Sequence, residues 1–180
     1  VFFKYENLQT TGSFKIRGAS AKIIGTPQET LEDGIVTAST GNHGKAVAFA
    51  AQSLGVTSTI YAPTGTDPFK IAAITKLGGK LVFAGSDCVE TELLAIEHAD
   101  KNKATYVAPY NDPEVIAGQG TLGLEISNQL GSVDAVFLSV GGGGLAAGVG
   151  AYLKTEIPGC QIIGCSPENS CVMIKSLQAG

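Results

Sequence analysis

From residue 34 onward, short apolar and β-branched runs alternate with longer stretches of helical character, which leaves few possible architectures. GIVTAST (34–40), TSTIYAP (57–63), KLVFAG (80–85), ATYVAPY (104–110), AVFLSV (135–140) and QIIGCS (161–166) read as buried strands. Between them stand NHGKAVAFAAQSLG, DPFKIAAITKLGG, DCVETELLAIEHADKN, DPEVIAGQGTLGLEISNQLG and GLAAGVGAYLKTEI, each long enough for a crossover helix. Strand, crossover and strand in that order favours parallel pairing, so the spacing predicts an α/β protein. Asp67 and Pro68 mark one helix start as N-cap and first helical residue, and Gly78 or Gly79 its stop. The DPEV helix is weakened by Gly118, Gly120 and Gly123, each costing up to about 1 kcal/mol against alanine. VMIKSLQA, before Gly180, reads as a helix with nothing to pack on.

Composition narrows the function. The chain of 180 residues is 44% apolar and only 16% charged, which suits a folded domain with a real core. Its 12 basic against 16 acidic residues, without a Lys/Arg cluster, argue against nucleic acid as a partner. Residues 135–153 carry no charge, but four glycines in their middle suit strand, loop and helix better than a membrane span. Cys88, Cys160, Cys165 and Cys171 form no CxxC pair or zinc spacing, and are expected to be reduced thiols in a cytoplasmic protein.

Three segments could carry chemistry. In TTGSFKIRGA (10–19), Lys15 follows an apolar start and precedes a stretch rich in Ala, Ile and Gly. A lysine there is either a stem along apolar surface or an amine kept for chemistry. SVGGGGLAAG comes off a strand and opens a helix, so its backbone N–H groups can cradle a phosphate. Gly141, Gly143 and Ala146 also fit a dinucleotide fingerprint, but Ser166 stands where its ribose-binding acid belongs, which puts a nicotinamide cofactor second. In STGNHG (39–44), Ser39, Thr40 and Asn42 with the first helix N–H groups could bind a carboxylate, or Ser39 or Thr40 could simply cap the helix. His43 by itself reads as a packed, hydrogen-bonded histidine.

TGSFKIRGA, ASTGNHG, VIAGQGTLGLEI and VGGGGL, in this order across almost the whole chain, resemble the fold-type II pyridoxal-phosphate enzymes, and among them the threonine/serine dehydratases and serine racemase. The resemblance implies two three-layer αβα open-sheet domains, the tryptophan synthase β-like fold. Residues 34–108 would form the small domain, and 1–33 with 109–180 an incomplete large domain, the cofactor lying in the cleft between. It implies that Lys15 forms the internal aldimine beside Phe14, and that Gly141, Gly142, Gly143, Gly144 and Leu145 bind the cofactor phosphate. Asn42 would bond the ring hydroxyl. Ser39, Thr40, Gly41 and His43 would line the substrate carboxylate site, with Asn111 also facing the substrate.

The implied reaction is dehydration of a 3-hydroxy amino acid such as L-threonine or L-serine to a 2-oxo acid and ammonia, with Lys15 as base at Cα. Racemisation and β-replacement of the cysteine synthase kind are the alternatives within the cofactor class. A non-catalytic phosphate- or nucleotide-binding module is the alternative outside it. Thr40 stands where the racemase carries its second catalytic base, a serine, and the added methyl favours elimination. Ser166 and Val172 replace the acidic residues of the racemase cation site, so no metal is expected. Glu90 stands near the position of an arginine used by some relatives. The group facing the pyridine nitrogen would lie in a later segment, the chain being a partial copy. A homodimer or higher homo-oligomer acting on a small amino acid, with no membrane partner, is expected from the family.

Overall fold

The computed structural model describes residues 1–179. The chain divides by its internal contacts into two units, residues 1–109 and residues from Tyr110 onward.

The first unit opens on a helical turn, Glu6–Leu8, followed by α1 (Lys15–Gly25) and the short α2 (Gln28–Leu31). Sequence patterning did not mark α1, yet its buried Ile16, Ala19 and Ile23 have the spacing of one helical face. That face packs against α3 (Asn42–Ser53). Arg17 joins α1 to the opening turn: its Nε and Nη2 donate to the two carboxylate oxygens of Glu6 at 2.7 and 2.9 Å. A nearly buried two-point pair of this kind holds a geometry that a single contact would not.

The sheet of this unit contains β1 (Ile35–Ala38), β2 (Ser58–Ala62), β3 (Lys80–Phe83) and β4 (Thr105–Tyr106) in the order β3-β2-β1-β4. All pairs are parallel, with Ile35 opposite both Ser58 and Thr105. On one face Ile60 meets α3 and α4 (Pro68–Lys76), where Ile74 and Ala48 crowd around Gly79. On the other, Val36 and Tyr61 pack against Ala95 and Ala99 of α5 (Cys88–Asn102). Asp67 caps α4 as expected, its carboxylate accepting from Phe69 N at 2.7 Å.

β4 is shorter than its sequence predicts. The apolar run continues to residue 110, but Pro109 has no N–H to donate and biases Ala108 away from continued pairing. Val107 N still bonds Val36 O at 2.9 Å, and the chain then leaves the ladder. The Val107 carbonyl takes two side-chain donors instead: Thr37 Oγ1 at 2.7 Å and His43 Nε2 at 3.0 Å. β1, β4 and α3 are thus pinned at one buried acceptor.

The second unit pairs β5 (Ala135–Ser139) with β6 (Gln161–Cys165) in parallel, and packs α6 (Pro113–Leu130) on α7 (Gly144–Glu156). The uncharged stretch 135–153 is therefore strand, loop and helix. No helix among the described residues is long and apolar enough to cross a membrane. Leu122, Ile126, Leu138, Val149, Leu153 and Cys160 form the core. Two of the glycines that weaken α6, Gly120 and Gly123, have a packing reason. A Cβ on Gly148 would lie 2.2 Å from Ile116 O, and one on Gly120 3.1 Å from Gly148 O. Backbone meets backbone here, and side chains would force the helices apart. The last helix, α8 (Val172–Ala179), forms as the sequence predicts.

Two outcomes follow for stability. Gly148→Ala should cost at least about 1–3 kcal/mol by overpacking. Gly150→Ala, whose Cβ would meet Ile162 at an ordinary 3.6 Å, should be neutral or stabilising. Urea denaturation of both variants separates the two cases. The second outcome concerns acid. Burial lowers the His43 pKa from 6.5 to about 4, the bond to Val107 opposing that shift and the Lys15 charge adding to it. The unfolded chain therefore takes up this proton first, so the contribution is complete above pH 6.5 and is lost as pH falls toward 4. His43→Gln should reduce the slope of stability against pH in that window by up to about 1.4 kcal/mol per unit.

Candidate active site

In the first unit the strand order reverses between β1 and β4. β2 and β3 extend the sheet on one side of β1, while β4 lies on the other. Loops leaving the carboxyl ends of two such strands diverge and open a crevice, where ligands bind in open α/β sheets. Here those loops are Ser39–Gly41 after β1 and Val107–Pro109 after β4.

Lys15 reaches the second loop. It is the first residue of α1, and its Nζ donates to the Pro109 carbonyl. The Phe14 ring centroid lies 5.4 Å from the same nitrogen. Burial pushes the Lys15 pKa below its ordinary value, because a poorly hydrated ammonium is disfavoured. A larger share of free amine makes this lysine a better nucleophile and base than a solvated one.

The first loop meets the start of α3. Ser39 N donates to Tyr61 O at 3.1 Å, and Ser39 Oγ accepts from Gly41 N at 3.3 Å. Ser39, Thr40 and Gly41 are half-buried, Asn42 is exposed, and His43 is buried beneath them. Gly41 is the N-cap of α3 and gives it no side-chain cap. The two glycines of STGNHG have different reasons. A Cβ on Gly44 would lie 2.1 Å from Ser39 O, so this glycine lets the helix press on the loop. A Cβ on Gly41 would meet nothing within 4 Å, which leaves open space over the helix start.

The glycine run in the second unit divides in the same way. Cβ atoms on Gly142 would overlap the Tyr110 ring at 2.3–2.7 Å, and on Gly144 would press on the Tyr110 backbone at 3.0 Å. Gly143 has φ 87°, a left-handed conformation that disfavours side chains. Gly141 alone among the four has an open Cβ direction and no positive φ. Gly143 begins α7 without a side-chain cap, while Leu145 packs its side chain on the core of this unit. α3 and α7 therefore contrast with α4, α5 and α6, whose first amides are each bonded by an aspartate, Asp67, Asp87 or Asp112.

Phe14, Lys15, Ser39, Thr40, Gly41, Asn42 and His43 thus lie in the first unit around the reversal point. Gly141–Gly144 and Leu145 lie in the second, as does Asn111, which is exposed beside the Asp112 cap. Sequence reasoning missed Tyr110, whose ring touches the glycine loop, and Pro109, whose carbonyl holds Lys15. An aromatic residue directly after a proline at a strand end was the available signal. Glu90 is occupied locally, accepting from Ser86 N at 2.7 Å and Ser86 Oγ at 2.8 Å. Ser166 Oγ donates to Val140 O at 2.9 Å, which ties β6 to the end of β5. Among the described residues no group of three or more His, Cys, Asp or Glu side chains could hold a metal ion.

Comparison with known proteins agrees with this geometry. The family model for pyridoxal-phosphate dependent enzymes matches residues 1–180. An L-threonine ammonia-lyase of Thermotoga maritima is 44% identical over 180 residues, covering 100% of this chain and 45% of that protein. The processed form of threonine deaminase isoform 2 from Solanum lycopersicum superposes with a TM-score of 0.94 at 43% identity, over 98% of this chain and 49% of that one. Maize serine racemase gives a TM-score of 0.94 at 33% identity, over 99% and 54%. The chain spans about half the length of these relatives. It belongs to the pyridoxal-phosphate dependent enzyme family.

Proposed function

We propose that the protein is a pyridoxal-phosphate dependent ammonia-lyase that dehydrates a 3-hydroxy amino acid, with L-threonine the first substrate to test. The observation that carries this reading is the half-buried Lys15 amine at the strand reversal, in a chain 44% identical to an L-threonine ammonia-lyase. The residues present fit the cofactor. The uncapped start of α7, with open space over Gly141, offers backbone N–H groups and the positive end of a helix to a phosphate. Lys15 offers an amine whose charge burial disfavours. We assign Lys15 and the Gly141–Gly144 loop to one cofactor, with Phe14 beside the lysine and Asn42 toward the ring hydroxyl. Residues 34–108 we assign to the small domain, which holds the complete four-stranded sheet, and 1–33 with 109–180 to the large one.

Bound there, pyridoxal phosphate supplies an electron sink for the carbanion formed when the substrate Cα–H is lost. The chain supplies the rest. Ser39, Thr40 and Gly41, with the uncapped N–H groups of α3, would bind the substrate carboxylate in place of a capping side chain. The Lys15 amine would accept the Cα proton, a role that requires it to be uncharged. Loss of that proton and of the β-hydroxyl leaves an enamine, which water converts to the 2-oxo acid and ammonia. Thr40 adds a methyl where a racemase needs a small proton donor on the opposite face, and this favours elimination.

Incubation with pyridoxal phosphate and L-threonine, with 2-oxo acid formation followed, tests the reading. Production of D-allo-threonine, the Cα epimer, in place of the 2-oxo acid would overturn it in favour of racemisation. Lys15→Ala should lower kcat by at least about 1,000-fold through loss of both roles. Gly141→Ala should leave the urea midpoint unchanged and weaken cofactor binding about tenfold or more. An equal loss of stability and of binding would show that Gly141 serves the fold instead.

A further inference from the structure

A run of four glycines has more conformational freedom than any other sequence of its length, because no Cβ restrains it. Backbone N–H groups hold an anion well only when they already point the right way, since ordering them on binding lowers affinity. Restraint on the 141–144 loop therefore has to come from outside the run, and two side chains supply it. The Cβ direction of Gly142 runs into Tyr110, whose Cγ, Cδ1 and Cδ2 would lie 2.3, 2.5 and 2.7 Å from the added atom. The ring is thus laid against the Gly142 Cα. The Cβ direction of Gly143 runs toward Met173 Cε of α8 at 3.1 Å. Gly144 in turn fits against the Tyr110 backbone, whose Cα and O would lie 3.0 Å from its Cβ.

Tyr110 is well placed to hold its neighbours. It lies two residues before Asp112, the N-cap of α6, and α6 touches α7 backbone to backbone where Gly148 meets Ile116 and Gly120. That close approach of the two helices brings residue 110 against the loop that opens α7. The residue is 38% exposed, so burial in a core does not account for a tyrosine here. Its contact is made by the half of the ring nearest the backbone, and the hydroxyl at the far end takes no part in it.

We propose that Tyr110 is a positioning residue for the phosphate cradle: its ring, with the Met173 thioether against Gly143, holds the 141–144 amides in one arrangement before an anion arrives. Gly142 and Gly144 lack side chains so that Tyr110 can approach, and Gly141 lacks one so that the anion can. The value of this clamp for pyridoxal phosphate rests on the loop as its phosphate site, whereas the restraint on the loop exists with or without the cofactor.

The experiment compares binding of pyridoxal phosphate with binding of pyridoxal, which lacks the phosphate, in wild type, Tyr110→Phe, Tyr110→Ala and Met173→Ala. The ratio of the two affinities isolates what the phosphate contributes. Y110A should lower that ratio about tenfold and M173A about threefold, with Y110F within about twofold of wild type and pyridoxal affinity unchanged throughout. A ratio that Y110A leaves in place overturns the proposal, as does an equal loss of both ligands, which a merely structural residue would give. A loss in Y110F as large as in Y110A assigns the effect to the hydroxyl and also overturns it. Gly142→Ala should lower the ratio in wild type, where its Cβ displaces the ring, but little further in the Y110A background; additive losses contradict the contact. A last readout needs no cofactor: in 15N–1H spectra of the cofactor-free protein, the amides of 141–144 should shift or broaden in Y110A and stay in place in Y110F. Amides unmoved in Y110A overturn the clamp. Failure of wild type to bind either pyridoxal compound would sink the proposed function, while these spectra still decide the clamp.

Discussion

The carbonyl of Val107 is the acceptor on which the candidate site of the first unit depends. It lies where β4 leaves the ladder, and both of its lone pairs are used, by Thr37 from β1 and His43 from α3. Net hydrogen-bond energies are modest, on the order of 1 kcal/mol each, but leaving a buried donor unmatched costs more. The three elements are thus fixed in register with one another by the cost of separating them. Two residues further on, Pro109 O receives Lys15, so the amine inherits the position of the strand end. The reversal of strand order makes this useful, because it separates the loops after β1 and β4 at the place where the amine emerges.

Helix starts carry the second part of the account. α4, α5 and α6 each begin with an aspartate that satisfies their first amides, which is what a structural helix needs. α3 and α7 begin with glycine and lack that carboxylate. In each loop one glycine is open, Gly41 or Gly141, while its neighbours are explained by a close backbone, a tyrosine ring or a positive φ. Two of the glycines in the GGGG run are thus required by Tyr110 rather than by a ligand. The distinction matters, because a glycine kept for packing and one kept for space respond differently to alanine.

Much of this was legible in the sequence. The βα alternation gave all six strands, and Asp67–Pro68 marked one helix start through chemistry local to two residues. Lys15, STGNHG and GGGG stood out because their composition conflicts with ordinary helix faces and turns. What was not legible depended on distant partners. Gly120 and Gly123 of α6 read as weakness until Gly148, Val149 and Tyr152 of α7 lay against them. The early end of β4 depended on how far a proline effect would reach back along the strand. α1 was hidden because its apolar stripe is narrow, Ile16, Ala19 and Ile23, among polar residues and glycine. The Pro109 carbonyl had no motif, since a backbone acceptor carries no sequence signature, and Tyr110 offered only its place after a proline at a strand end.

The central claim is that Lys15, held at the end of β4, is the amine that takes the cofactor. The direct measurement is mass mapping of the protein after loading with pyridoxal phosphate and reduction with borohydride. The account predicts a phosphopyridoxyl group on Lys15 and on no other lysine. A label spread over surface lysines, or its absence from Lys15, would contradict it.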